Sequence, residues 1–92
     1  MQITPADIFK ASSRTGNLPR WILQSDRQDQ FIGKDRAAIA IVMRDKLGLS
    51  WQKIAAEFNR DHSSILRLVD KWREDEDVQR LIKKLCKFLG LK

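Results

Sequence analysis

The chain has 92 residues, with 18 Lys and Arg against 12 Asp and Glu for a net charge of +6, 42% hydrophobic and 33% charged. That length suits one domain with a modest core, and mixed-sign charge beside a normal apolar fraction excludes wholesale disorder. The cationic surplus bears on partners and not on fold: it favours polyanions, with nucleic acid ahead of anionic membrane.

Met1-Gln2-Ile3-Thr4-Pro5 has no basic segment leading into an apolar stretch, so no secretion signal is read and the cytoplasm is the expected compartment. Thr4 followed by Pro5 predicts an N-cap and a first helical position, opening a short helix to about Lys10. Ser12 to Asn17 reads as a loop. Pro19 is expected to start a second short helix bearing Trp21, Ile22 and Leu23, which fades among polar residues before Gly33.

From Asp35 the signals strengthen. Asp35 is expected to cap a helix running to Leu47, with Gly48 ending it in a left-handed conformation. Ala37 to Met43 is apolar nearly all round, which predicts a buried spine. The run is too short to span a bilayer, and no membrane partner is expected. Ser50 is the expected cap of a helix from Trp51 to Phe58, with Ile54, Ala55 and Phe58 facing the core. Asn59-Arg60 makes a tight turn, and Asp61 opens a helix to about Arg73.

The last helix starts in Asp75-Glu76-Asp77 and stops before Gly90, with Val78, Leu81, Ile82, Leu85 and Leu89 as its apolar stripe. Acids at its start and Lys83, Lys84 and Lys87 near its end complement the helix dipole, and the lysines also qualify for phosphate contact. Cys86, the single cysteine, falls on the apolar face and reads as an inert core thiol. With one Cys and one His, neither an intramolecular disulfide nor a cysteine-rich zinc site can form, and no cofactor is implied.

The fold class expected is therefore all-α, a compact helical bundle over residues 1–92 with a distinctive segment 1–33. Trp51 to Trp72 has the spacing of a helix-turn-helix: a short and a longer helix joined by three or four residues, with small Ala55 at their meeting point. Ile54, Phe58, Ile65 and Leu68 can lock both helices to the body, and Asn59 tolerates the left-handed backbone of such a turn.

A recognition helix meets base edges with its first residues, where short directional side chains serve best. Asp61, His62, Ser63 and Ser64 stand together there, between Arg60 and Arg67. An aspartate can accept from cytosine, a serine adapts to donor or acceptor, and a histidine can donate to a purine or reach a phosphate. Free backbone N–H groups at this helix start also suit a phosphate. Asp61 is at the same time the natural N-cap, a role compatible with contact to DNA.

Arg36 to Ser50, followed by Trp51-Gln-Lys-Ile-Ala-Ala-Glu-Phe-Asn-Arg-Asp-His-Ser-Ser-Ile-Leu66, resembles the C-terminal DNA-binding domain of the bacterial replication initiator DnaA, of the Trp-repressor-like class. The resemblance covers roughly residues 35–72, and Arg60-Asp61-His62 is its most specific part. It implies that Asp61, His62 and Ser63 contact bases in the major groove of double-stranded DNA. It puts Arg60, Ser64 and Lys71 near base or backbone contacts. We include Arg67 and the start of the preceding helix, Ser50, Trp51 and Gln52, in the same interface. The family also sends an arginine from a basic loop before the long helix into the minor groove; Arg14 is the nearest candidate and Arg20 the alternative. Asn59 stands where the family usually has glycine, Ser63-Ser64 replaces a Thr-Thr pair, and Asp70 adds a negative charge to the second helix.

The expected function is sequence-specific binding of duplex DNA, regulating replication initiation or transcription by competing with or recruiting larger machinery at the nucleoid. A monomer and a homodimer stay open, as does chromosomal, phage or plasmid context. The initiator's ATPase domain has no counterpart, since no Gly-rich Lys-Ser/Thr phosphate loop exists, and Met1 favours a free-standing protein over an excised domain. A second reading is a protein-interaction module that kept the scaffold and lost DNA binding; Asp70, Glu74-Asp75-Glu76-Asp77 and the three tryptophans favour it. Catalysis is not expected, because consecutive Asp61-His62-Ser63 side chains on one helix fan apart instead of forming a relay.

Overall fold

In the computed structural model, which describes residues 3–15 and 18–91, the chain is all-α: α1 (Pro5–Arg14), α2 (Arg20–Leu23), α3 (Gln30–Leu47), α4 (Trp51–Glu57), α5 (His62–Trp72) and α6 (Glu76–Leu89). Among the described residues there is no strand, and no helix is long and apolar enough to cross a membrane. The central element is α3, which packs against α1, α2, α4, α5 and α6. Every residue from Ile32 to Met43 is buried, and the all-round apolar pattern demands this of Ala37 to Met43.

The helix ends follow local chemistry. Thr4 and Asp7 form a capping box at α1, Ser50 Oγ accepts from Lys53 N, Asp61 accepts from Ser64 N, and Asp75 accepts from Asp77 N and Val78 N. Gly48 (φ 67°) and Gly90 (φ 71°) close α3 and α6 in the left-handed conformation.

Three expectations need correction. Helix α1 runs on through Arg14, with Ala11 and Ser12 buried against the body; of the expected loop, Gly16 and Asn17 lie outside the described residues. Pro19 is the N-cap of α2 and not its first helical residue, and α2 is a single turn. Asp35 is not the cap of α3. The helix starts about a turn and a half earlier, where Asp29 Oδ1 accepts from Ile32 N at 2.9 Å. Gly33 therefore lies inside the helix, where a Cβ would meet Trp72 Nε1 at 3.3 Å and Leu68 Cδ2 at 3.4 Å, so its small size lets α5 approach α3 closely.

Starting α3 early places three charged residues, Lys34, Asp35 and Arg36, in a buried stretch. Each has polar partners, as burial requires. Lys34 Nζ lies 2.9 Å from Asp77 Oδ2 and 3.3 Å from Asp75 Oδ2, tying α3 to the head of α6. Asp35 Oδ2 accepts from Leu18 N at 3.2 Å, tying α3 to the segment before α2. Arg36 reaches into the α2–α3 loop, as described below. Cys86 is buried, as expected of a core thiol, and Phe9 meets Phe58 edge-on at 5.4 Å between ring centroids.

Candidate nucleic-acid interface

Four residues, 58–61, separate α4 from α5. Asn59 N donates to Ala56 O at 3.1 Å and Arg60 N to Ala55 O at 3.0 Å, with Asn59 itself left-handed at φ 56°. This pair of bonds across a left-handed residue satisfies the last carbonyls of α4 and turns the chain sharply into α5. Ile54, Ala55, Phe58, Ile65 and Val69 are buried, so both helices are anchored to the body on their apolar sides.

That anchoring leaves the head of α5 free. Asp61, His62 and Ser63 are exposed and Ser64 is half-buried. Asp61 Oδ1 accepts from Ser64 N at 2.7 Å, and this hydrogen bond holds the carboxyl below its ordinary range, with the nearby Arg67 and His62 adding to the effect. Arg67 and Lys71 are exposed further along α5, and Lys71 Nζ sits 5.0 Å from the Trp72 ring.

At the start of α4, Ser50 Oγ is occupied by its cap, and Gln52 is exposed. Trp51 is half-buried under the Arg44 guanidinium, 5.4 Å from its ring, and packs against the core. Trp72 packs likewise, whereas Trp21 is 66% exposed.

Beside α5 lies a hollow of about 410 Å³ lined by Gln28, Arg36, Arg60, Ser64, Arg67 and Lys71, among others. It joins the head of α5 to the loop between α2 and α3, a neighbour that sequence spacing alone does not reveal. The loop is held in place by side chains from elsewhere in the fold. Arg36 Nε donates to Leu23 O at 2.9 Å, Nη1 to Arg27 O at 2.6 Å, and Nη2 to Ser25 O at 2.7 Å and Ile22 O at 3.4 Å. Arg60 Nη2 donates to Ser25 O at 2.7 Å and Arg27 O at 3.2 Å. Gln24 Nε2 donates to Glu57 O at 2.7 Å, fastening the loop's beginning to the end of α4. Burial, then the neighbouring Arg60 charge, lowers the Arg36 guanidinium to about 10, which leaves it cationic at neutral pH.

Most of the sequence-predicted site residues thus gather on one side: Arg60, Asp61, His62, Ser63, Ser64, Arg67 and Lys71 all belong to α5 or the turn before it. Arg14 lies elsewhere, exposed at the last position of α1 in a shallow hollow with Phe9, Lys10 and Arg20. Arg20 itself lies over the Phe9 ring at 4.7 Å and pairs with Glu57 at 3.4 Å. The exposed arginine carried by the loop next to α5 is Arg27, which sequence reasoning missed. The signal that could have found it is its place between the short helix α2 and the long helix α3.

The chain is similar to the chromosomal replication initiator protein DnaA 1 of Chlamydia trachomatis. The two are 31% identical over 98 aligned positions, taking in 98% of this chain and 21% of the relative. The chain thus spans about a fifth of that initiator's length. No protein-family model matches the chain, and no solved structure does. The DnaA similarity extends through the N-terminal segment 1–33 that departed from the resemblance read in residues 35–72, so α1 and α2 share in it.

The acidic run that favoured a protein-interaction surface has structural work. Asp75 caps α6 and pairs with Lys34, Asp77 pairs with Lys34 and Arg80, and Glu76 lies 3.9 Å from Arg80. Among the described residues no three His, Cys, Asp or Glu side chains come together as metal ligands.

Proposed function

We propose that this chain is a single DnaA-like domain that binds duplex DNA through a helix-turn-helix made by α4, the 58–61 turn and α5. The observation that carries the reading is the exposed head of α5: Asp61, His62 and Ser63 face solvent while Ile65 and Val69, on the same helix, are buried. A helix anchored on one face and open at its N-terminal end can enter the major groove, where its first side chains reach base edges. Asp61 accepts from cytosine, His62 donates to a purine, and Ser63 adapts. Ser64, Arg67, Lys71 and the start of α4 with Ser50, Trp51 and Gln52 contact the phosphates, while Arg60, its Nη2 taken by the carbonyls of Ser25 and Arg27, stands behind them. These supply most of the affinity, and the head of α5 supplies discrimination.

Arg27 takes the place of Arg14 as the arginine offered from outside α5, because its loop is fastened against the turn before that helix. The similarity to a replication initiator supports initiator-type boxes as the sites occupied. Regulation of replication or transcription by occupying them follows, without catalysis by this chain. A pool of randomised duplexes, selected on the protein and sequenced, tests the reading. Enrichment of a defined box, lost with His62→Ala and Ser63→Ala, is the expected result. Binding that ignores sequence, or no binding at all, overturns it.

The protein-interaction alternative keeps two features in its favour, exposed Asp70 on α5 and exposed Trp21 on α2. Of the acidic run, Asp75, Glu76 and Asp77 are engaged in a cap and ion pairs.

A further inference from the structure

Two arginines of different origin converge on one loop. Arg36 comes from the buried face of α3 and Arg60 from the turn before α5, and both donate to the carbonyls of Ser25 and Arg27. Arg36 also takes Leu23 O and Ile22 O, so between them the two guanidinium groups engage four carbonyls in the stretch 22–27. Arg36 spans its four acceptors with donors on three nitrogens of a planar fork, which a lysine cannot do, whereas Arg60 reaches two of them through Nη2 alone. These acceptors are all neutral backbone oxygens, so two like charges stand side by side with Asp29 as the nearby acid that favours Arg36's charged form. Holding a short loop would not in itself require a second cation from the DNA-facing turn. Arg60, the residue directly before the N-cap of α5, connects the loop to the head of that helix.

We propose that Arg36 and Arg60 are positioning residues for DNA recognition: together they fix the loop 24–29 to the head of α5, so that Arg27 and the first residues of α5 meet the same duplex as one rigid surface. This rests on the DNA-binding reading above. Its physical consequence is pre-organisation: the loop is already ordered before DNA arrives, so contact through Arg27 does not have to offset the entropy of fixing it. When the clamp is loosened the loop must be ordered at binding, and the advantage of Arg27 disappears.

The experiment compares the wild type with Arg36→Lys, Arg60→Lys, Arg27→Ala and both double variants containing Arg27→Ala. Affinity is measured by fluorescence anisotropy on the duplex that the wild type selects from a randomised pool. Trypsin cleavage after Arg27, together with a thermal melt, reports on the loop and the fold in the absence of DNA. The expected result is a cooperative melt for at least one clamp variant, with cleavage after Arg27 accelerated about tenfold or more and affinity down about tenfold. Arg27→Ala should cost about tenfold in the wild type and less than about twofold in that clamp variant, since coupled residues are non-additive. A full Arg27→Ala loss in the clamp variants overturns the proposal, as does unchanged cleavage with reduced affinity. Arg60→Lys serves where Arg36→Lys fails to fold, because Arg60 is only partly buried; failure of both to fold assigns the clamp to stability and overturns the proposal too. A wild type that selects no duplex sinks the DNA reading itself, whereas a wild type that binds while both clamp variants bind equally well sinks only the clamp.

Discussion

Asp61 accepts the backbone N–H of Ser64 at 2.7 Å, so one residue both caps α5 and lies exposed at its head. The two roles separate by substitution. Asp61→Asn keeps a capping oxygen and changes only what the outward face presents, so the melt should hold while preference at one base position shifts. Asp61→Ala removes both and should lower the melting temperature as well. His62 has no such structural duty, so His62→Ala should leave the melt unchanged and cost about 1–3 kcal/mol, roughly 5- to 150-fold, on the selected box and little on unrelated duplex. Melts paired with anisotropy on the two duplexes read each effect.

Asn59 sits in the turn at φ 56°, and the left-handed region costs an ordinary L-residue about 1–2 kcal/mol. Asn59→Val should therefore destabilise the protein by about that amount, while Asn59→Gly should match or slightly exceed wild-type stability. Urea titrations compare the three, and a Val variant as stable as the wild type would contradict the strained turn. The glycine variant also converts the turn to the type usual in the DnaA family, and it should bind DNA unchanged.

What could be read from sequence was local. The caps at Thr4, Ser50 and Asp61, the stops at Gly48 and Gly90, and the buried run from Ala37 to Met43 depend on residues a few positions apart, and the structure has them where expected. The start of α3 was misplaced because Asp29 and Asp35 are equally good caps on paper. The choice is settled by Leu18 N, 17 residues away from Asp35, which claims its carboxylate. Arg36 looks like an ordinary surface cation at a helix start until the carbonyls of residues 22–27 are seen folded over it. Arg27 was missed for the same reason: nothing in its immediate neighbours says that its loop ends beside α5.

Burial pushes the Asp35 carboxyl above its ordinary value of 3.8, and the Leu18 N–H only partly opposes this. A raised carboxylate binds its proton more tightly in the folded state than in the unfolded chain. Its contribution to stability is therefore fully present below the unfolded value and is lost as pH rises through the folded one. Near neutral pH the buried charge is a net cost. Asp35→Asn retains an oxygen for Leu18 N and carries no charge, so it should raise the melting temperature at about pH 7 and make little difference near pH 3. Melts across that range check the sign, and a variant that is less stable at neutral pH would show that the charge itself is needed.

Salt dependence separates the two kinds of contact proposed on α5. Each phosphate neutralised by a lysine or arginine releases counterions, so the logarithm of the binding constant falls with the logarithm of salt concentration by about 0.9 per contact on duplex DNA. Arg67 and Lys71 are exposed on the flank of α5 and line the hollow that runs back to the loop. Arg67→Ala and Lys71→Ala should each flatten the slope by about one and weaken specific and unrelated duplexes alike. His62→Ala should leave the slope in place and lower only the selected box. If instead the lysine and arginine variants change sequence preference while the slope stays fixed, these side chains read bases, and the division of labour along α5 runs the other way.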